Sequence, residues 1–108
     1  MATEITTIAS FNNIRGIDFG DKVIFYKFGG PWCKPCKELT KNMECIADII
    51  TYDINVENEE FQEFLVDHNV CSIPDTIVKY KNNELRFQGL KSTEEILSII
   101  NTLKAFTT

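Results

Sequence analysis

Between Val23 and Ile50 the chain changes character twice, and the two changes fall on either side of a cysteine pair. Val23–Phe28 reads Val-Ile-Phe-Tyr-Lys-Phe, a nearly unbroken apolar run that predicts a strand buried on both faces. Gly29-Gly30-Pro31 then breaks it. From about Lys34 the pattern turns helical, with Leu39, Met43, Ile46 and Ile50 on one stripe. Pro35 is tolerated only in the first turn of such a helix, where its missing N–H is not needed. Cys33 is thereby expected at the helix N-terminus, with Cys36 one turn further in.

A strand, a tight break and a helix start are what a reactive cysteine requires. Only the thiolate is nucleophilic, and the unpaired N–H groups and positive dipole end of a helix start favour it, lowering the thiol pKa. Lys34 adds a cation beside Cys33. On this reading Cys33 is the exposed, attacking thiol and Cys36 the more buried, resolving one. Cys33 thiolate opens a substrate disulfide, and Cys36 then displaces the reduced substrate, leaving Cys33–Cys36 oxidised.

The other cysteines, Cys45 and Cys71, leave two competing frameworks to weigh. Two structural disulfides are disfavoured in a reducing compartment. A zinc site is disfavoured because a lone C-x-x-C supplies half of a typical ligand set. Cys45 is expected as a small core residue. Cys71 is expected as a spare thiol near the rim of the site, with a regulatory or intermolecular role as the sharper alternative. His68 is expected in core or boundary packing rather than catalysis.

The remaining elements follow from periodicity. Ile5–Ile8 is expected as a short first strand, with a brief helix near Ser10–Ile14. Thr51–Val56 reads as a strand and Glu57–His68 as an acidic helix with Phe61, Phe64, Leu65 and His68 on one stripe. Thr76–Lys81 and Glu84–Gln88 read as a hairpin turning on Asn82-Asn83. Ser92-Thr93-Glu94-Glu95 matches a capping box opening a last helix with Ile96, Ile99, Ile100 and Leu103 on its inner face. The order β-α-β-α-β-α-β-β-α implies a mixed sheet covered by helices.

With 108 residues, 44% of them hydrophobic, and no linker-like or repeated stretch, residues 1–108 are expected to form one domain. A net charge of −5 argues against generic binding to nucleic acid or anionic membrane. No apolar run approaches the roughly 18 residues needed to span a bilayer, and no secretory signal is evident at the start, so a cytoplasmic location is expected. No phosphate-cradling or dinucleotide-binding motif appears.

Trp32-Cys33-Lys34-Pro35-Cys36 closely resembles the active-site motif of the thioredoxin family, usually Trp-Cys-Gly-Pro-Cys. Ile73-Pro74 stands where that family has its cis-proline loop, and Gly89 where it has the glycine after the last hairpin. The resemblance covers nearly the whole chain in element order. It implies an α/β thioredoxin fold, a central mixed five-stranded sheet flanked by about four helices. It also implies an enzyme that reduces protein disulfides, works as a monomer without a cofactor or metal, and is recharged by a thioredoxin reductase-type donor. Trp32, Ile73, Pro74 and Gly89 would form a shallow apolar groove around Cys33, with Lys34 and Pro35 also binding substrate, and the Ile73 backbone would pair with an extended substrate segment.

Three departures from the family stand out. Lys34 replaces a glycine. Asp75-Thr76 reads as one residue more than the family's Pro-Thr, which would shift the start of the following strand. Lys27 occupies the place of a buried aspartate thought to relay a proton to the resolving thiol, while Asp53 occupies the place of a facing lysine. A reversed charge pair beneath Cys36 would account for both exchanges, since either charge buried alone is costly; the alternative is two strand charges pointing to solvent. Three functions stay open on this reading: a protein-disulfide reductase, a more oxidising isomerase or oxidant, and a thioredoxin-like binding subunit of a larger complex. A glutaredoxin role is disfavoured by the tryptophan-led motif and the Ile-Pro loop.

Overall fold

The computed structural model describes residues 2–107. Five strands form one mixed sheet, β1 (Thr3–Glu4), β2 (Val23–Gly29), β3 (Ile49–Asn55), β4 (Asp75–Tyr80) and β5 (Asn83–Gln88), in the spatial order β1-β3-β2-β4-β5. The first three run parallel to one another, and β4 and β5 are antiparallel to their neighbours. The helices are α1 (Ile8–Arg15), α2 (Lys34–Met43), α3 (Gln62–Asp67) and α4 (Thr93–Thr107).

The apolar run predicts the central strand, and all seven residues of β2 are buried. Its alternate side chains feed two cores. Ile24, Tyr26 and Phe28 meet Phe11 of α1 and Phe61 and Leu65 beside and within α3. On the opposite face Val23 and Phe25 meet Leu39 and Met43 of α2 and Ile96, Ile100 and Leu103 of α4. Phe11, wholly buried, makes edge-on contacts with Tyr26, Phe28, Phe61 and Phe64, at centroid distances of 5.1–6.0 Å.

Several boundaries differ from the sequence reading, each for a local reason. The first strand is Thr3–Glu4 rather than Ile5–Ile8, because the Thr7 hydroxyl accepts from the Ser10 N–H and starts α1 at Ile8. Ile5 still donates its N–H to Asp53 O and is buried. The acidic segment is a 3-10 turn over Glu59–Phe61 followed by the short α3, its entry capped by the Asn58 side chain. The hairpin turns on Lys81-Asn82, with Tyr80 paired to Asn83 and Lys81 at φ 55°. Two-residue hairpins demand positive φ at the first turn position. Lys81 takes that conformation with its ammonium 3.6 Å from the Asp21 carboxylate. β4 begins at Asp75, directly after Pro74, so the supposed extra residue does not delay the strand.

Candidate active site

Cys33 caps the N-terminus of α2, and its sulfur accepts a hydrogen bond from the Cys36 N–H at 3.2 Å. Pro35 sits in the first helical turn, where its ring costs nothing. Cys33 and Cys36 are joined as a disulfide, with Cα atoms 5.2 Å apart. The two cysteines are not buried in the order expected from the sequence. Cys33 is 7% exposed, whereas Cys36 is only half-buried. A cavity of about 410 Å³ on the Cys36 side explains the inversion: Cys36 lines it together with Lys27, Thr40, Asp53 and Pro74.

Glycine is required where β2 meets this site. A Cβ on Gly29 would lie 2.6 Å from the Cys36 sulfur, and one on Gly30 would overlap the Trp32 indole. The break in the apolar run is therefore also the space that the disulfide and the tryptophan occupy. Trp32 itself is 51% exposed, and Lys34 and Pro35 are exposed beside it.

Lys27 and Asp53 are direct partners in the parallel register of β2 and β3. The Lys27 ammonium lies 3.2 Å from Asp53 Oδ1, so the solvent-pointing alternative does not hold for Lys27. The pair is lopsided: Lys27 is 6% exposed, while the Asp53 side chain is 49% exposed at the cavity wall. Thr40 was not legible as part of the site. Its hydroxyl accepts from Lys27 Nζ at 2.9 Å and donates to Cys36 O at 3.1 Å, tying the ammonium to the first turn of α2. Its position four residues beyond Cys36 on a helix was the available signal.

On the other side of the cavity the Ile73–Pro74 peptide bond is cis, and Gly89, at φ 82°, donates its N–H to Pro74 O at 2.8 Å. Ile73, half-buried, and Gly89 flank Pro74 but are not among the cavity-lining residues. Cys45 is exposed rather than part of the core, and it lies beyond the end of α2 at Met43. Cys71 is exposed as well. His68, exposed, stacks on Phe64 at a centroid distance of 3.9 Å and lies at the C-terminal end of α3, away from the disulfide's cavity.

Residues 22–101 match the family model of the thioredoxin domain. The chain is 27% identical over 84 residues to thioredoxin of Malassezia sympodialis, covering 74% of this chain and 79% of that protein. It is 24% identical over 103 residues to protein disulfide-isomerase 1 of Dictyostelium discoideum, covering 87% of this chain but only 28% of that longer protein. Among solved structures, chloroplastic thioredoxin z superposes with a TM-score of 0.76 at 19% identity, over 96% of this chain and 95% of that one. The Deadhead thioredoxin of Drosophila melanogaster superposes with a TM-score of 0.70 at 25% identity, over 95% and 99%. Since the matched span holds both the strand and the helix that bring Cys33 and Cys36 together, the chain belongs to the thioredoxin family of thiol–disulfide oxidoreductases.

Proposed function

We propose that this protein reduces disulfides in other proteins through Cys33 and Cys36. The observation that carries the reading is the Cys33 sulfur seated as the cap of α2, accepting the Cys36 N–H. In the reduced protein that seat favours a thiolate at Cys33. Its lone pair forms a bond to one substrate sulfur, the substrate S–S bond breaks, and the other substrate sulfur leaves as a thiolate that takes a proton. Cys36, deprotonated in turn, attacks the Cys33 sulfur and expels the second substrate thiol. The substrate gains two electrons and the Cys33–Cys36 pair is oxidised. Return to the dithiol requires a thioredoxin reductase-type donor, and the cycle suits a reducing compartment such as the cytoplasm.

Lys27 and Asp53 provide for the second half of the cycle. Asp53, at the wall of the cavity that Cys36 lines, is the proton acceptor for the Cys36 thiol. Lys27, held by Asp53 and Thr40, supplies a fixed positive charge that favours the Cys36 thiolate. Trp32, Ile73, Pro74 and Gly89 form the surface that receives an extended substrate segment, with Lys34 and Pro35 at its edge.

A specific feature favours a second reading, a more oxidising isomerase or oxidant. Lys34 and Lys27 place cations on both sides of the pair, and cations stabilise the reduced, thiolate-bearing form. Equilibration of the Cys33–Cys36 couple with a glutathione buffer separates the two: about −270 mV fits a reductant and about −180 mV an isomerase. The reductase reading is tested by reduction of insulin with dithiothreitol as the electron source. Wild type is expected to accelerate it and Cys33→Ser to bring the rate to the uncatalysed level. Equal rates for the two proteins overturn the reading.

A further inference from the structure

The sequence of Asp75 next to Pro74 departs from the family pattern, and the structure gives that aspartate a partner. Asp75 is fully buried, yet its carboxylate is well satisfied. Arg86 of β5 grips it with two N–H groups, Nε to Oδ1 at 2.8 Å and a terminal nitrogen to Oδ2 at 2.5 Å, and Gln88 Nε2 adds a bond at 3.3 Å. The same guanidinium also donates to the backbone carbonyls of His68 at 2.5 Å and Asn69 at 3.2 Å.

Those contacts lie at the two ends of one loop. His68 and Asn69 follow the last turn of α3, Asn69 at φ 53°, and Asp75 opens β4. Between them run Val70, Cys71, Ser72, Ile73 and Pro74, the segment that carries the proposed substrate-pairing backbone. A single planar, five-donor group therefore closes the loop across its mouth. Asp75 in turn holds that group by a buried, bidentate bond, a geometry that lysine cannot reproduce. Arg86 remains about one-third exposed, so its cost of burial is small while its partner supplies the anchorage.

We propose that Arg86, through Asp75, is the positioning residue that holds the 70–74 loop in the conformation that receives a disulfide-bearing polypeptide. This rests on the reductase reading above. The clamp does not touch the cysteines; it sets where the Ile73 backbone stands when an extended segment docks. A preformed loop lowers the ordering cost of binding, so its loss is read in KM.

The test compares wild type with Arg86→Lys, which keeps a cation beside Asp75, and with the double variant Asp75→Asn/Arg86→Gln, which leaves no buried charge unpaired. Each is assayed on insulin and on the small aromatic disulfide DTNB, which needs no backbone pairing. With thermal midpoints near wild type, both variants are expected to raise KM for insulin roughly tenfold, keep kcat, and reduce DTNB within about twofold of the wild-type rate. Amide exchange at Cys71–Ile73 is expected to speed up in both variants while β2 stays protected. Parallel losses on both disulfides, or unchanged insulin kinetics whatever the exchange rates, overturn the proposal. A wild type that reduces neither disulfide rejects the reductase reading instead; the exchange rates then decide the clamp, an unchanged loop rejecting it and a loosened loop supporting it.

Discussion

Lys27 and Asp53 illustrate how a residue's role depends on which partner of a pair is buried. The buried member here is the ammonium, and Asp53 keeps half of its side chain in water. Replacing both members of a buried ion pair by apolar groups is often neutral or stabilising, whereas removing one strands a charge; here the charge that Lys27→Met leaves behind is Asp53, which is already half in water. Lys27→Met is therefore expected to leave the thermal midpoint near or above that of wild type while slowing insulin reduction several-fold. Asp53→Asn is expected to keep the first step, mixed-disulfide formation at Cys33, and to slow the second. Its rate would then lose the dependence on pH that a carboxylate acceptor confers. Stopped-flow reduction across about pH 3 to 10, which spans carboxylate and thiol titration, is the check. An Asp53→Asn profile identical to wild type removes Asp53 from the proton route.

At the level of elements, the local chemistry of helix starts is the most dependable part of this fold. α4 opens as the capping box predicts: the Glu95 N–H donates to Ser92 Oγ at 3.1 Å and the Ser92 N–H to Glu95 Oε1 at 2.9 Å. The bond from the Ser92 backbone, followed by that with its side chain, holds the Glu95 carboxyl below its ordinary value of 4.5. A depressed carboxyl stabilises the fold above its unfolded value, and that contribution fades as pH falls through the lower folded one. Ser92→Ala is expected to cost about 1 kcal/mol in urea unfolding at neutral pH. The acid limb of the Glu95→Gln stability profile is expected to be flatter than that of wild type below about pH 4.5. By contrast, the hairpin turn lies one residue earlier than the asparagine pair predicts. Asparagine content pointed to Asn82-Asn83, but strand register pairs Asn83 with Tyr80 and forces the positive φ onto Lys81.

Across the whole molecule, two cores share one strand, and a hydroxyl lies stranded in one of them. Tyr26 is fully buried between Phe11 and Tyr52, and its OH has no hydrogen-bond partner among the described residues. Burial pushes its pKa from 10.0 up to about 12, with the nearby Arg15 pulling the other way. Above pH 10 the unfolded chain then holds fewer protons than the native one, so native stability falls as pH rises towards 12. Tyr26→Phe is expected to remove that portion of the alkaline loss. At neutral pH it is expected to change stability by no more than about 1 kcal/mol, because no bond is lost. Urea titrations of both proteins at about pH 8 and about pH 11 are expected to show Tyr26→Phe gaining stability relative to wild type at the higher pH. A Tyr26→Phe protein as alkali-sensitive as wild type contradicts the assignment.

What the sequence determined by itself is everything written in nearest neighbours along the chain. The central strand shows as an apolar run, the cysteine pair as a turn of helix after a glycine break, and α4 as a capping box with a stripe. These patterns act over three or four residues, so they are legible without a fold. The family motif pointed to the Ile73–Pro74 loop and to Gly89, and the bond from the Gly89 N–H to Pro74 O is a contact that only the fold reveals. Whatever depends on register between distant strands is set by the packed fold. The Lys27 contact with Asp53 follows from the β2–β3 pairing, and the Arg86 grip on Asp75 from the β4–β5 hairpin closing over the end of α3. Burial belongs to the same class: that Cys33 is more enclosed than Cys36, and that Cys45 is exposed, are properties of packing. Side-chain charge and size can be read from one residue, but the partner that gives them a role is supplied by the fold.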